Sequence, residues 1–212
     1  MAMSGPDPVG SGLIASLARP GGNITGLAGQ TDEFPSNHLE LLREIMPGLT
    51  DVMVLYNPAG VLRPEASLAA IATSLGLRLH GIAITRAEEL EPTFSKAASP
   101  ANWAVVTLAD PVVIARLRVL IAALALKHRL PSAHNFRIGA EAGGLFSYGV
   151  NLDDMARRSA YFVDKILKGT KTTDLPVEQA TKFELIVNQR VARELGIIIP
   201  QQVLVRADEV IE

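Results

Sequence analysis

Short apolar runs alternate along the chain with stretches whose apolar residues recur every three or four positions. That rhythm belongs to a parallel sheet covered by helices. Residues 23–28 read as a first short strand after the Pro20-Gly21-Gly22 turn. A helix is expected over 37–46, with Asn37 and Glu40 at capping-box spacing and Leu39, Leu42 and Ile45 on one face. Residues 51–56 form a buried strand ending at Asn57-Pro58, and 64–75 a second helix stopped by Gly76. A third strand spans 77–84. Thr85 and Glu88 have capping-box spacing, but Pro92 lies too deep for a helix starting there, so the next helix begins near Glu91. Residues 103–108 form a fourth strand, and Asp110-Pro111 opens a helix reaching about His128. A fifth strand follows at 132–136, a short one at 145–148, and a long helix at 151–168 closed by Gly169. After a polar loop at 171–175 come a strand at 183–187, a helix at 190–195 and a mostly extended tail.

Residues 23–136 therefore read as a five-stranded doubly wound α/β domain. Ligands of such sheets sit beyond the carboxyl ends of the strands, which singles out Asn57, Asp110, Asn135 and Phe136. Asp110 is a good helix cap and equally a carboxylate for a ligand ammonium, since its two oxygens offer several acceptor sites. Asn57 is a turn residue whose amide can also donate and accept. Asn135 beside Phe136 supplies an orienting amide and an aromatic face. Tyr56 suits either the core or a cleft wall.

Composition narrows the function classes. The 212 residues suit one large domain or two small ones, and 48% hydrophobic with 20% charged residues is ordinary for a globular protein. A net charge of −2 and the lack of a Lys/Arg run argue against nucleic acid. The longest apolar stretch, 112–126, is broken by Arg116 and Arg118 and falls short of the ~20 residues of a membrane span. No cysteine is present, which removes disulfides and thiolate chemistry. His38, His80, His128 and His134 show no ligand spacing and read as surface or strand residues, so no metal or other cofactor is expected. A loose G-x-G-x-x-A at Gly10, Gly12 and Ala15 follows Pro6 and Pro8 rather than a strand, and reads as a turn into a short helix over 13–18. There is no Gly-x-Ser-x-Gly elbow. Asp110 and Glu141 offer acid–base potential without a partner nucleophile, so the chain is not read as an enzyme.

Three segments carry a family resemblance. They are 7–26, from Asp7-Pro-Val-Gly to Asn23-Ile-Thr-Gly26; 175–188, Leu175-Pro-Val-Glu-Gln-Ala-Thr-Lys-Phe-Glu-Leu-Ile-Val-Asn188; and 192–212, with Arg206-Ala-Asp-Glu-Val-Ile-Glu212. The chain resembles, from about Ser4 to Glu212, ABC-transporter solute-binding proteins of the TrpX-like family, which binds tryptophan and other aromatic amino acids. The resemblance implies a type I periplasmic-binding-protein-like fold. One doubly wound parallel-sheet lobe is complete and remnants of the other accompany it. In the family a leader and most of a first lobe come before the 7–26 segment; here a Met-Ala-Met-Ser lead does. The implied divisions are 1–22, a hinge-side lead; 23–144, the complete lobe; 145–175, a crossover and helix of the first-lobe type; and 176–212, a returning strand, short helix and tail. Relatives carry Asp at the place of Asp110 and a Tyr-Asn-Pro or Trp-Asn-Pro signature where Asn57 stands.

The resemblance further implies an importer component that binds an aromatic amino acid or related carboxylate in an interlobe cleft. An ABC permease is the implied partner and the periplasm the implied location. Tyr148 and Asn151 lie where the chain recrosses towards the first lobe, and both join the expected ligand set. Asn151 would also cap the helix that follows. Some relatives that bind aromatic amino acids carry Asp at its place, a charge this chain lacks. With one lobe incomplete, binding is expected to be weak or absent. Met155, Phe162, Val163, Ile166 and Leu167 would be partly exposed, which predicts a homodimer, with or without exchange of the 151–168 helix between chains. A sensing module of a regulator and, below it, a small α/β enzyme are the alternatives.

Overall fold

The computed structural model describes residues 2–4, 8–29, 34–60, 63–97, 102–110 and 112–212. The elements begin with β1 (Ala2–Ser4), β2 (Gly26–Ala28), α1 (Phe34–Ile45), β3 (Asp51–Tyr56), α2 (Pro64–Ser74) and β4 (Arg78–Ala83). Next come α3 (Leu90–Ala97), β5 (Trp103–Thr107), α4 (Arg118–Lys127), β6 (Ser132–His134), α5 (Arg137–Glu141) and β7 (Phe146–Val150). The chain ends with α6 (Leu152–Leu167), β8 (Glu178–Gln179), β9 (Phe183–Asn188), α7 (Gln189–Leu195), α8 (Gln201–Arg206) and β10 (Glu209–Ile211). Two compact units result: residues 33–149 with 184–212, and residues 1–32 with 150–183.

The larger unit holds a seven-stranded sheet in the order β10-β9-β7-β6-β5-β3-β4. From β4 to β7 the neighbours are parallel, as are β9 and β10. Asn188 N at the end of β9 donates to Leu145 O just before β7 (2.8 Å), so β9 runs against β7. Alternation along the central strands divides the apolar residues between two cores. Val52, Val54, Ala104 and Val106 pack with Leu39, Leu42, Leu68, Val191 and Val203 of α1, α2, α7 and α8. Met53, Leu55 and Val105 pack with Leu90, Phe94, Ile121 and Ala125 of α3 and α4. A strand covered on both faces reads as a continuous apolar run, which is the pattern of 51–56 and 103–107.

Several expectations are corrected. The first strand is not part of this sheet: β2 lies between β1 and β8 in a separate three-stranded sheet of the smaller unit. The larger sheet instead gains β7, β9 and β10. A three-residue strand carries no local mark of its partner, so the misplacement has a physical origin. The tail is not extended: α8 forms after Pro200, whose carbonyl accepts from Val203 N (2.9 Å), and Asp208 binds Leu185 through both its amide and its carboxylate. Residues 13–18 make turns rather than a helix, with Ile14 packing against Ala28 and Val177. Helix α3 does begin late. Glu89 caps the Thr85 and Arg86 amides (2.8 and 3.2 Å), and Pro92 falls in the first turn, where its missing N–H is no loss. Pro6 and Pro111 lie outside the described residues.

In the smaller unit Asn151 caps α6, its Oδ1 accepting from Asp154 N at 2.8 Å. The apolar face expected there is smaller than the sequence suggests. Met155 and Phe162 are buried, while Val163 and Leu167 are 40% and 81% exposed and Ile166 is half-buried. Arg158 stacks 4.1 Å from the Tyr161 ring and grips Glu178 with two hydrogen bonds (2.6 and 2.7 Å), tying α6 to β8.

Candidate functional site

Four neighbouring strands of the larger unit, β3, β5, β6 and β7, each bring one expected residue to the same edge of the sheet. Asn57 follows β3, Asp110 lies three residues beyond β5, Asn135 follows β6, and Tyr148 stands within β7. Asn57 and Asp110 meet: Asn57 Nδ2 donates to Asp110 Oδ2 at 3.2 Å. The other oxygen of Asp110 accepts from Val113 N (3.2 Å), so the carboxylate caps the helical turns Val112–Leu117 that lead into α4 and holds the neighbouring loop together. Asn57 Oδ1 in turn accepts from Ala59 N (3.0 Å), closing an Asx turn. A Cβ on Gly60 would come within 2.9 Å of Asp110 Oδ2, so glycine lets this loop approach the carboxylate. Arg63 braces the loop from outside, donating to the carbonyls of Pro58 and Gly60 (2.8 and 2.7 Å) while lying 5.7 Å from the Tyr56 ring. Tyr56 itself packs against the core as well as reaching this edge.

Asn135 is buried, and its Nδ2 donates to Thr107 O at 2.6 Å. That bond orients the amide and leaves Oδ1 as a buried acceptor with no hydrogen-bond partner. Such an orphan costs about 1–3 kcal/mol and calls for a reason. Phe136 is half-buried in extended backbone at the start of α5. With Asn135, Thr107, Val113 and Ile138 it lines a cavity of about 10 Å³, the space of one water. Tyr148 borders a different and larger cavity beside α1 and α8. Asn151 belongs to the smaller unit.

Two histidines here were not expected as they stand. His38 is fully buried on α1, and its Nε2 lies 2.9 Å from Tyr148 O; since a carbonyl only accepts, Nε2 carries the proton. His134 is buried on β6, beside Ser132 Oγ (3.1 Å). Added Cβ atoms on Gly139 and Gly144 would come within 2.4 and 2.3 Å of its ring or Cβ, so two glycines make its slot. Burial pushes His38 down to about 4, against the opposing bonds to backbone. Burial, then the proximity of His38, does the same for His134. The reading of all four histidines as surface or strand residues fails at His38. Its place three and four residues before Leu41 and Leu42 on the apolar face of α1 was the signal for that.

The arrangement can orient and accept polar groups. Among the described residues no group of three or more His, Asp or Glu side chains could hold a metal ion. No helix among them is long and apolar enough to cross a membrane.

A protein-family model described as ABC transporter substrate binding protein matches residues 1–211. The chain is 23% identical over 193 residues to a tyrosine-binding protein of Clostridioides difficile (strain R20291), covering 89% of this chain and 54% of that relative. It thus spans about half the length of that curated relative. Among solved structures, an ABC domain in complex with L-Trp from Streptococcus pneumonia has a TM-score of 0.84 at 26% identity, over 97% of this chain and 70% of the other. A conserved domain protein from Vibrio cholerae gives 0.85 at 28% identity, over 97% and 69%. The α/β fold with its mostly parallel sheet is therefore that of periplasmic-binding-protein-like structures.

Proposed function

Because the chain belongs to the family of ABC transporter substrate binding proteins, we propose that it binds a small solute at the carboxyl edge of β3, β5 and β6. The solute is an amino acid of the tryptophan or tyrosine kind. It is passed to an ABC permease outside the cytoplasm, with no bond made or broken by this chain. The observation that carries the reading is the row Asn57, Asp110, Asn135 on three adjacent strands. It sets a carboxylate held by an amide beside an oriented amide whose acceptor is unused. A ligand ammonium suits Asp110, and a charge-assisted hydrogen bond there contributes about 1.5–3 kcal/mol. The tyrosine-binding relative and the L-Trp complex support the ligand class. Closure of a second lobe over this edge would add the remaining contacts in the whole two-lobed protein.

Isothermal titration of this chain with L-Trp and L-Tyr tests the proposal. Asp110→Asn retains the helix cap and removes the charge, so the Kd is expected to rise by about tenfold or more. With contacts from one face only, the parent chain is expected to bind weakly, so the titration runs to millimolar ligand. No saturable binding of either amino acid at that concentration, or a Kd unchanged in Asp110→Asn, overturns the proposal.

A homodimer is part of the proposal and rests on Val163, Ile166 and Leu167 of α6. Sedimentation velocity should show a dimer that Leu167→Glu converts to monomer; a monomer at every concentration removes this part.

A further inference from the structure

The larger unit contains a second cavity, of about 280 Å³, beside the sheet face that α1 and α8 cover. Its walls are Leu41, Leu185 and Tyr148, with the carboxylates of Glu40, Glu44 and Asp208 and the guanidinium of Arg206 around them. These charges are not equivalent. Arg206 pairs with Glu44 across the gap between α8 and α1. Asp208 is engaged by the Leu185 amide (2.8 Å). Glu40, exposed midway along α1, is the carboxylate left for an incoming group. The cavity thus combines two aliphatic side chains and a phenol ring with one available negative charge. Its volume nears the lower end of small-molecule sites.

We propose that this cavity is a second binding site, separate from the Asn57–Asp110–Asn135 row, for a small organic cation with an apolar body. The ammonium meets Glu40, and the apolar part lies against Leu41, Leu185 and the Tyr148 ring. Tyr148 belongs to β7 and Leu185 to β9, the two strands along which the chain passes between its units, at residues 149–150 and 183–184. Occupation of the cavity therefore bears on the strands that join the units.

The test is an amide NMR titration of the whole chain with phenethylamine, using 3-phenylpropionate as a control of the same shape and opposite charge. Saturable shifts are expected at Leu41, Tyr148, Leu185 and Asp208 with the amine and not with the acid. Glu40→Gln should weaken the amine by about fivefold or more, and Leu41→Trp, which fills the cavity, should abolish its shifts. Equal response to amine and acid, shifts confined to Asn57, Asp110 and Asn135, or an amine affinity untouched by both substitutions overturns the site. Because the readout is local to these four residues, failure here is distinct from failure of the amino-acid site, which the titration with L-Trp and L-Tyr reports.

Discussion

Gly149→Ala is expected to destabilise the protein by roughly 3 kcal/mol or more, at or beyond the upper end of ordinary overpacking costs. Gly149 is buried in β7, and a Cβ built on it would lie 1.8 Å from Asn135 O and 2.9 Å from the Asn135 carbonyl carbon. Both neighbours are backbone, so no side chain can rotate away. Either β7 leaves β6 or the turn after β6 shifts, and the second outcome moves Asn135 off Thr107 O. The substitution should therefore lower the urea midpoint and weaken L-Trp or L-Tyr binding together. Gly76→Ala provides the contrast. Its Cβ would meet nothing within 4 Å, although its φ of +68° is strained for alanine, so the cost there is backbone strain of about 1 kcal/mol. A Gly149→Ala cost no larger than that of Gly76→Ala would show that the close approach at β7 is not a constraint.

The second large effect is on the pH dependence of stability. His38 and His134 have folded-state pKa values lowered from 6.5 to about 4. Below pH 6.5 the unfolded chain takes up protons that the folded chain refuses, so stability is fully present above that pH. It falls as the pH drops from 6.5 towards 4. Each histidine contributes a slope of up to about 1.4 kcal/mol per pH unit, and the pair about twice that. Glu89, Glu91 and Glu178, each lowered by hydrogen bonds from an ordinary value of 4.5, add to the loss from about that pH downwards. Asp51, held well below the usual carboxylate range first by Arg78 and then by His80 and Thr50, starts to contribute near pH 3.8. Thermal melts at pH 7.5, 6.5, 5.5 and 4.5 should show a plateau followed by a steep fall. His38→Gln keeps a donor for Tyr148 O without a titrating ring and should flatten the fall between pH 6.5 and 5. Melting temperatures unchanged across this range in the parent protein would mean that the imidazoles are not held neutral.

How much of this was legible in the sequence depended on which interactions specified it. Residues 51–56 and 103–107 announced themselves because burial on both faces makes nearly every position apolar, the exceptions being Asp51 at the start of one strand and Thr107 at the end of the other. Helix α6 was placed to within a residue because Asn151 and Gly169 mark its ends. The partners of β2 were hidden: its neighbours β1 and β8 are remote in sequence, and three residues hold no alternation. Helix α8 was missed because Val203, Leu204 and Val205 read as strand, while Pro200 and a half-buried position gave only one turn of helical period. With it went Arg206 and Asp208, and hence the cavity they border. At the candidate site, the residue types at the strand ends were visible, and so was the capping capacity of Asp110. The hydrogen bond between Asn57 and Asp110 was not, since it depends on β3 and β5 being neighbours. The orphaned oxygen of Asn135 was equally invisible, because satisfaction is a property of three-dimensional surroundings.

The larger unit draws β9 and β10 from chain that has first passed through residues 150–183. Closing that excursion costs little at equilibrium, because loop entropy grows only with the logarithm of length. Its effect is on the order of events during synthesis. When β3 to β7 and α1 to α5 have emerged, β7 is a bare edge, with Phe146 and Leu145 still waiting for Leu185 and Val187 of the strand that will cover them. An unpaired edge next to apolar side chains is open to pairing with another nascent chain. The interval before residue 188 leaves the ribosome is thus the period of greatest exposure to misassembly. Slower translation of residues 150–183 would lengthen it.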